Sequence, residues 1–256
     1  NTRFKGSEVA DIISRSGAKS LIFWPLFKKA NFLEVLSSIA DAAFNEVESV
    51  IIYDEEEHDF MSNSYLPSSL QSKKVASYLE LINHSGAEID HSQPDAGCNI
   101  FTTSGTTRAP KFVLHSHRSI SIHASEVWRN LEPLIKSNAF FHTLPFCGVF
   151  GFNHFSAALS GARPNVIQSA FNAREAIDLI DRHKVHYISA TDDMLLALLE
   201  ADDRNPALPS LTCCGYGAFN LPPEEITLRA SARGIKLVGL YGMSEVQALF
   251  ARQEHT

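Results

Sequence analysis

The sequence predicts an α/β protein in which mostly parallel sheets are flanked by helices. Short runs of β-branched and aromatic residues alternate with segments whose apolar residues recur at helical spacing. Neighbouring parallel strands need a crossover connection, and a helix is the usual one. The 256 residues are enough to bury one large core or two smaller ones.

The first lobe is predicted to span residues 1–94. Its opening helix ends at Gly17, and the apolar run KSLIFW that follows indicates a buried strand. Asn31 and Glu34 have the spacing of a capping box, which predicts the start of a second helix. The run ESVIIYD indicates another strand, and a further helix is predicted over residues 74–82. The turn-rich stretch HSGAEIDHSQPDAG then links this lobe to the next.

The second lobe, residues 95–256, repeats the alternation. Seven runs indicate strands: CNIFTTS, KFVLH, AFFHTLP, NVIQS, VHYISA, LTCCG and KLVGLYG. The segments between most of them predict helices, and Asn172 with Glu175 caps one of these. Ligands of such sheets bind at the carboxyl ends of strands, which makes three loops candidate sites: residues 103–111, 215–219 and 241–245.

Composition narrows the classes of partner. The net charge is −7, from 22 basic and 29 acidic residues, and no basic cluster is available to follow a nucleic-acid backbone. No apolar run approaches the roughly 18–20 residues of a membrane span. The four cysteines lack metal-ligand spacing, so we expect free, buried thiols in a cytoplasmic protein: Cys98, Cys147, Cys213 and Cys214.

Two histidines, His115 and His117, are two residues apart in the predicted strand KFVLH and its continuation. This spacing would place both on one face of a strand. No third ligand is evident, so we interpret them as surface histidines or as histidines that support other residues, not as a zinc site.

The first candidate loop combines hydroxyl groups, a glycine and a cation. Hydroxyls and backbone N–H groups at a strand end can donate hydrogen bonds to phosphate oxygens, and glycine lets the backbone come close. The Walker A pattern does not fit, because Pro110 and Phe112 replace residues that it requires. An ordinary Ser/Thr turn is the alternative. The residues concerned are Thr103, Ser104, Gly105, Thr106, Thr107 and Lys111.

The other two loops offer complementary groups for a nucleotide. Tyr241 provides an aromatic face for a base, Ser244 a hydroxyl for a phosphate, and Glu245 a hard oxygen ligand for Mg²⁺. The glycine-rich segment at residues 215–218 is, by itself, equally well explained as a tight turn. Each signal is weak alone.

Together and in this order, the three segments resemble the motifs of the adenylate-forming superfamily, which includes acyl-CoA synthetases. Residues 103–112 match eight of ten positions in that family's pattern [ST]-S-G-[ST]-T-G-x-P-K-G. Residues 241–245 are similar to its tyrosine-glycine-x-threonine-glutamate motif, and residues 215–218 to its adenine loop. The segment LPFCGVFGF also looks like the start of the family's acid-binding region.

This resemblance implies the N-terminal core fold of those enzymes and a role for each motif. Ser104, Thr106 and Thr107 would wrap the β- and γ-phosphates of ATP, with Lys111 assisting. The implied catalytic residues are Thr107, Lys111 and Glu245, with Glu245 binding Mg²⁺. The implied nucleotide-binding residues also include Thr103, Gly105, Gly215, Tyr216, Gly217, Ala218, Tyr241, Gly242 and Ser244. The acid pocket would be lined by Phe150, Phe152, Asn153 and His154.

The implied activity is ATP-dependent activation of a small carboxylic acid to an acyl-adenylate, followed by thioester formation with CoA. Such chemistry depends on positioning and charge neutralisation more than on acid–base groups. The family's ribose-binding aspartate and its C-terminal lid domain with the catalytic lysine have no counterpart in the sequence. We therefore expect a fragment of an N-terminal core that begins within a domain and does not turn over alone.

Departures from the family pattern leave two alternatives open. Arg108 and Phe112 stand where the family has glycines, and Gly148 stands where it has a histidine. A degenerate, non-catalytic nucleotide-binding or assembly module is one alternative. An amino-acid adenylation domain is the other, although Asp192 and Asp193 lie late in the sequence for an aspartate that holds an amino group.

Overall fold

A computed structural model of the protein describes most of the chain, which divides into two compact units. One unit comprises described residues up to 86, and the other begins at residue 92. The described ranges are 4–54, 63–86, 92–103, 111–135, 139–202, 208–220 and 222–250.

The first unit is a small α/β layer built on a three-stranded parallel sheet. β4 lies at the centre, between β1 and β5, and β2 and β3 form a separate antiparallel pair. Its strands are β1 (Ser20–Phe23), β2 (Leu26–Phe27), β3 (Ala30–Asn31), β4 (Ser49–Ile52) and β5 (Lys74–Ser77). Its helices are α1 (Gly6–Ser16), α2 (Phe32–Ser37), α3 (Ser68–Gln71) and α4 (Tyr78–Leu81), with 3₁₀ turns at Asp41–Phe44 and Asn63–Tyr65.

Local sequence signals explain how the first unit's helices begin and end. Helix α1 ends at Gly17, whose φ of 63° lies in the left-handed region that favours glycine. The Asn31 side chain accepts a hydrogen bond from the backbone N–H of Glu34 and so caps α2, as the sequence predicts. The buried core of this unit consists of Ile13, Leu36, Ile39, Phe44, Val47, Val50, Ile52, Leu66 and Leu70.

The second unit is larger and contains a six-stranded sheet and a separate hairpin. Its strands are β6 (Gly97–Thr103), β7 (Lys111–Ser116), β8 (Phe140–His142), β9 (Asn165–Ile167), β10 (Tyr187–Thr191), β11 (Cys213–Gly217), β12 (Lys236–Met243) and β13 (Gln247–Phe250). Its helices are α5 (His117–Leu131), α6 (Val149–Ser160), α7 (Ala173–Arg182), α8 (Asp192–Ala201) and α9 (Pro223–Ser231), with 3₁₀ turns at Glu132–Leu134 and Ser244–Val246.

The strand order of the six-stranded sheet is β13-β12-β11-β10-β8-β9, and all pairs are parallel except β12 with β13. The order reverses at β8, because β9 and β10 lie on opposite sides of it. In sheets of this kind, the crevice outside the carboxyl ends of the strands at such a reversal is where ligands bind. Strands β6 and β7 pair with each other, antiparallel, outside this sheet.

Both faces of the six-stranded sheet are covered. Buried residues of α7, α8 and α9 form one core with residues such as Ile188, Cys214 and Leu237. Residues of α5 and α6 form a second core with Tyr187, Cys213 and others. Cys213 and Cys214 therefore point to opposite faces, because successive side chains of a strand alternate.

Several sequence predictions need correction. Residues 74–77 form strand β5, paired in parallel with β4, and only Tyr78–Leu81 is helical. The predicted helix over 74–82 does not form at residues 74–77, because Val75 packs on the core of the first unit as part of the sheet. Cys98 and Cys147 are exposed rather than buried, whereas all four cysteines are free. His117 begins helix α5, so it does not share a strand face with His115.

Candidate functional site

The hairpin of β6 and β7 carries the first motif. Thr103 ends β6 and pairs across the hairpin with Lys111, the exposed first residue of β7. The motif thus connects two antiparallel strands, rather than following a strand of the parallel sheet as the sequence suggests. Residues 104–110 lie outside the described part of the chain, so the roles of Ser104, Gly105, Thr106 and Thr107 stay predictions.

Phe112 occupies a regular strand position, although the motif of the adenylate-forming superfamily has glycine there. It pairs with Thr102 in the β6–β7 ladder, and its φ is not positive. An extended strand residue does not need the conformational freedom of glycine. Phe112 therefore causes no backbone strain in this hairpin.

The glycine-rich segment begins inside β11 rather than after it. Gly215, Tyr216 and Gly217 are strand residues, and the connection to α9 starts at Ala218. A Cβ atom on Gly215 would overlap the Tyr187 hydroxyl oxygen, so a larger residue there would require the Tyr187 side chain to shift. The Tyr216 side chain packs against the core beneath α7 to α9. The Tyr216 side chain thus anchors the glycine-rich segment to this core.

The tyrosine motif spans the end of β12 and the turn that follows. Tyr241 and Gly242 are strand residues, whereas Ser244 and Glu245 lie in the 3₁₀ turn Ser244–Val246. The Tyr241 side chain is 62% exposed. The Glu245 carboxylate is also exposed, and it makes no hydrogen bond or ion pair with other residues that the structure describes. A carboxylate in this state is a suitable oxygen donor for Mg²⁺.

The glycine-rich segment and the tyrosine motif lie side by side. In the parallel pairing of β11 with β12, Tyr216 is level with Gly239. Because the carboxyl ends of neighbouring parallel strands meet at one edge, the two motifs lie at the same edge of the sheet.

His115 ties the hairpin to the tyrosine motif. Its Nε2 donates a hydrogen bond to the Ser244 carbonyl oxygen at 2.7 Å, and its Nδ1 accepts one from Gln247 Nε2 at 3.5 Å. Gln247 is buried and has φ 56° and ψ −174°, which is strained for a residue other than glycine. Sequence reasoning missed both roles, since nothing local connects positions 115 and 244.

Asp192 is a second residue whose role the sequence does not reveal. The pair Asp192-Asp193 predicts a helix start, and Asp192 is indeed the first residue of α8. Its side chain is completely buried, however, and one of its oxygens accepts hydrogen bonds from the backbone N–H groups of Phe219 and Asn220. Asp192 therefore contacts the connection that follows the glycine-rich segment.

The residues assigned to the acid pocket lie on helix α6, which begins at Val149. Phe150 and Phe152 are half-buried, and Phe152 packs against Phe101 with ring centroids 5.4 Å apart. Asn153 and His154 are buried. Burial lowers the pKa of His154 to about 4, so its ring is neutral at physiological pH.

The space next to His154 is small. A cavity of about 10 Å³ is lined by His154, Tyr187 and seven other residues, from β8 and the two residues after it, from β10 and from α6. That volume holds roughly one water molecule and no organic acid. The pocket assignment of the four α6 residues stays a prediction, and the two phenylalanines are its more accessible part.

The fold agrees with comparisons to known proteins. The family of AMP-binding enzymes matches residues 1–256, so the chain belongs to that family. One relative is a 3-[(3aS,4S,7aS)-7a-methyl-1,5-dioxo-octahydro-1H-inden-4-yl]propanoyl:CoA ligase of Mycobacterium tuberculosis. The two sequences are 26% identical over 252 residues, and the alignment covers 97% of this chain and 47% of that enzyme. It is 28% identical over 169 residues to a 2-succinylbenzoate–CoA ligase of Bacillus subtilis, covering 65% of the chain and 34% of that enzyme.

Solved structures share the fold. An anthranilate CoA ligase in complex with anthranoyl-AMP superposes with a TM-score of 0.74 at 20% identity, over 96% of this chain and 45% of that one. An O-succinylbenzoate CoA synthetase of Bacillus subtilis with ATP and magnesium gives 0.64 at 18% identity, over 96% and 55%. This chain thus spans about half, or less, of the length of these relatives. None of the helices in the described ranges is long and apolar enough to cross a bilayer.

Proposed function

We propose that this chain provides the nucleotide-binding part of a ligase that activates a carboxylic acid with ATP and transfers the acyl group to CoA. One observation carries the proposal: the glycine-rich segment ends β11, and the tyrosine motif begins near the carboxyl end of β12, the neighbouring parallel strand. Membership of the AMP-binding family and the CoA ligase activity of the relatives support it.

In this proposal the described residues bind and orient the nucleotide. Adenine lies against the backbone of residues 217–218, and the exposed Tyr241 ring flanks it. Lys111 at the start of β7 supplies positive charge to the phosphates that residues 103–107 surround. His115 fixes the turn that carries Ser244 and Glu245 against the hairpin.

The reaction then needs little acid–base chemistry from the chain. An oxygen of the substrate carboxylate attacks the α-phosphorus, and the bond to pyrophosphate breaks with its electron pair leaving on pyrophosphate. A thiol of CoA subsequently displaces AMP from the acyl-adenylate. Mg²⁺, when bound, would neutralise phosphate charge, and Glu245 is the described residue that fits it as a ligand.

The alternatives fare less well at particular residues. An amino-acid adenylation domain would need an aspartate open to the substrate's amino group, but Asp192 is buried and occupied by backbone N–H groups. A degenerate module was suggested by Arg108 and Phe112. Because Phe112 occupies a regular strand position, its replacement of a glycine is no longer an argument for a degenerate site.

Calorimetric titration of ATP, with and without Mg²⁺, tests the proposal. We expect Tyr241→Ala to weaken binding about tenfold in both conditions, because a stacking surface is lost. Glu245→Gln should weaken binding only when Mg²⁺ is present. The matched controls are Tyr65→Ala and Glu224→Gln, which change exposed residues outside the motifs.

Equal effects of the site and control variants would contradict the assignment of the site. Acid activation itself is measured by acid-dependent exchange of labelled pyrophosphate into ATP in the full-length protein. Binding without exchange for any of a panel of carboxylic acids would favour the non-catalytic nucleotide-binding module.

A further inference from the structure

Asp192 makes an unusual set of contacts for the first residue of a helix. Its Oδ1 accepts a hydrogen bond from the backbone N–H of Asp193 at 3.0 Å. Its Oδ2 accepts two, from the N–H groups of Phe219 at 2.8 Å and Asn220 at 2.7 Å. The side chain has no exposed surface. A single buried carboxylate thus joins the start of α8 to a connection 27 and 28 residues later in the sequence.

Burying the Asp192 carboxylate is energetically favourable only if its hydrogen bonds from the three backbone N–H groups are all kept. A buried carboxylate is costly unless several donors compensate it. Hydrogen bonds from backbone N–H groups to a charged acceptor are among the stronger ones, and the N-terminal end of a helix adds a favourable dipole. Two consecutive N–H groups on one oxygen also restrict the backbone dihedral angles between them. The 219–220 backbone is therefore held in one conformation.

Capping α8 does not by itself explain Asp192. The helix already has an N-cap in Thr191, whose Oγ1 accepts a hydrogen bond from the Met194 N–H at 3.3 Å. Asp193, next in sequence, is exposed and accepts a hydrogen bond from the Asn220 side chain. Two successive carboxylates thus point to the same connection, which indicates that the connection is what they serve.

The connection held by Asp192 continues directly from the proposed adenine surface. Phe219 lies two residues beyond Gly217, the last residue of β11, and its ring is 67% exposed. That ring lies over Gly217: a Cβ atom on Gly217 would be 2.6 Å from Phe219 Cε2. The backbone that Asp192 fixes at Phe219 consequently sets the shape of residues 217–219.

We propose that Asp192 is a positioning residue for the adenine base: its carboxylate holds Phe219 and Asn220 so that residues 217–219 keep the shape that receives the ring beside Tyr241. The inference rests on the proposed nucleotide site. It adds a residue of α8 that touches no ligand and acts through the backbone of the connection.

The test compares Asp192→Asn with Asp202→Asn. The Asn amide is nearly the same size, but its NH₂ group must face at least one backbone N–H where the carboxylate accepted it. Asp202 is the matched control, because it is also buried, lies just beyond the other end of α8 and accepts a backbone hydrogen bond from Leu208 at 2.8 Å. ATP, AMP and GTP are titrated calorimetrically into the wild type and both variants, and thermal unfolding is recorded for each.

We expect Asp192→Asn to weaken ATP and AMP binding by a similar factor, about tenfold, and to reduce the preference for ATP over GTP. An equal loss for ATP and AMP locates the effect at the adenosine part, and altered base preference is not expected from lower stability alone. Asp202→Asn should lower the melting temperature without changing either ratio.

Outcomes that concern the inference differ from those that concern the site. If the wild type binds ATP and Asp192→Asn binds it with the same affinity and the same base preference, the inference is overturned and the proposed function is unaffected. A wild type that binds none of the nucleotides overturns both. If Asp192→Asn does not fold, hydrogen exchange of the wild type decides: added protection of the Phe219 and Asn220 amides by ATP supports the inference, and none overturns it.

Discussion

At the scale of single residues, the packing of β10 against β11 in the second unit depends on the close approach of Tyr187 to Gly215. Gly215 lies in β11, next to the buried Tyr187 of β10, whose hydroxyl hydrogen bonds with Ser189 at 3.0 Å. Burial raises the pKa of the Tyr187 phenol, so the hydroxyl stays protonated. A side chain at position 215 would displace this ring from beneath the glycine-rich segment.

We therefore expect Gly215→Ala to destabilise the protein by about 1–3 kcal/mol, since the new methyl group would overlap the Tyr187 hydroxyl oxygen. Tyr187→Phe removes that oxygen. In the Tyr187→Phe background, the same glycine substitution should cost less by about 0.5 kcal/mol or more. Urea unfolding of the four chains measures the coupling.

Gly239→Ala is the matched control for this cycle. Gly239 lies on the neighbouring strand β12, and a Cβ atom there would meet no heavy atom within 4 Å. Its cost should not depend on residue 187. A Gly215→Ala cost that is also independent of residue 187 would mean that the overlap is relieved elsewhere.

At the scale of elements, helix starts follow a common local rule. Five helices of the described ranges begin after a residue whose side-chain oxygen accepts a backbone hydrogen bond from three residues further on. These caps are Asn31 of α2, Ser77 of α4, Ser116 of α5, Asn172 of α7 and Thr191 of α8. The sequence predicts two of them, at Asn31 and Asn172, from the glutamate three residues later.

Asn172→Ala should lower the free energy of unfolding by about 1 kcal/mol, because the N–H of Glu175 loses its partner Asn172 Oδ1 at 3.1 Å. Asn172→Ser keeps an acceptor and should retain most of the stability. Denaturant unfolding of the three chains measures this. Equal losses for Ala and Ser would show that the side-chain cap contributes little.

At the scale of the whole molecule, the burial of ionisable groups in the second unit couples its stability to pH. His154 on α6 is fully buried near Tyr187, and its Nδ1 donates to the Phe150 carbonyl oxygen at 2.9 Å. Burial lowers its pKa from 6.5 to about 4. Burial also lowers the pKa of His142, which hydrogen bonds with Asn165.

The sign of the pH dependence follows from these directions. Below about pH 6.5 the unfolded chain binds a proton at position 154 that the folded chain does not bind until about pH 4, so stability falls over that range and levels off below it. At pH 5 the loss from His154 should be about 2 kcal/mol relative to pH 7. In His154→Gln the difference between pH 7 and pH 5 should be smaller by that amount.

His183→Gln is the control, since His183 is exposed at the end of α7. It should leave the difference between the two pH values unchanged. Urea unfolding at pH 7 and pH 5 makes the comparison. An undiminished difference in His154→Gln would mean that other groups, such as His142, account for the acid sensitivity.

The sequence by itself determined the local features of this protein. Hydrophobic periodicity, capping residues and glycines predict most strands and helices, because the forces that select them act within a few residues. The three motifs and their order predict the family, which the match over residues 1–256 confirms.

Only the tertiary structure decided which distant segments meet. Residues 74–77 are a strand because β4 pairs with them, and the β6–β7 hairpin stands outside the six-stranded sheet. His115 contacts Ser244, 129 residues away, and Asp192 contacts Phe219. The physical reason is that these contacts depend on the path of the whole chain. No local pattern encodes which buried donor will meet a given acceptor.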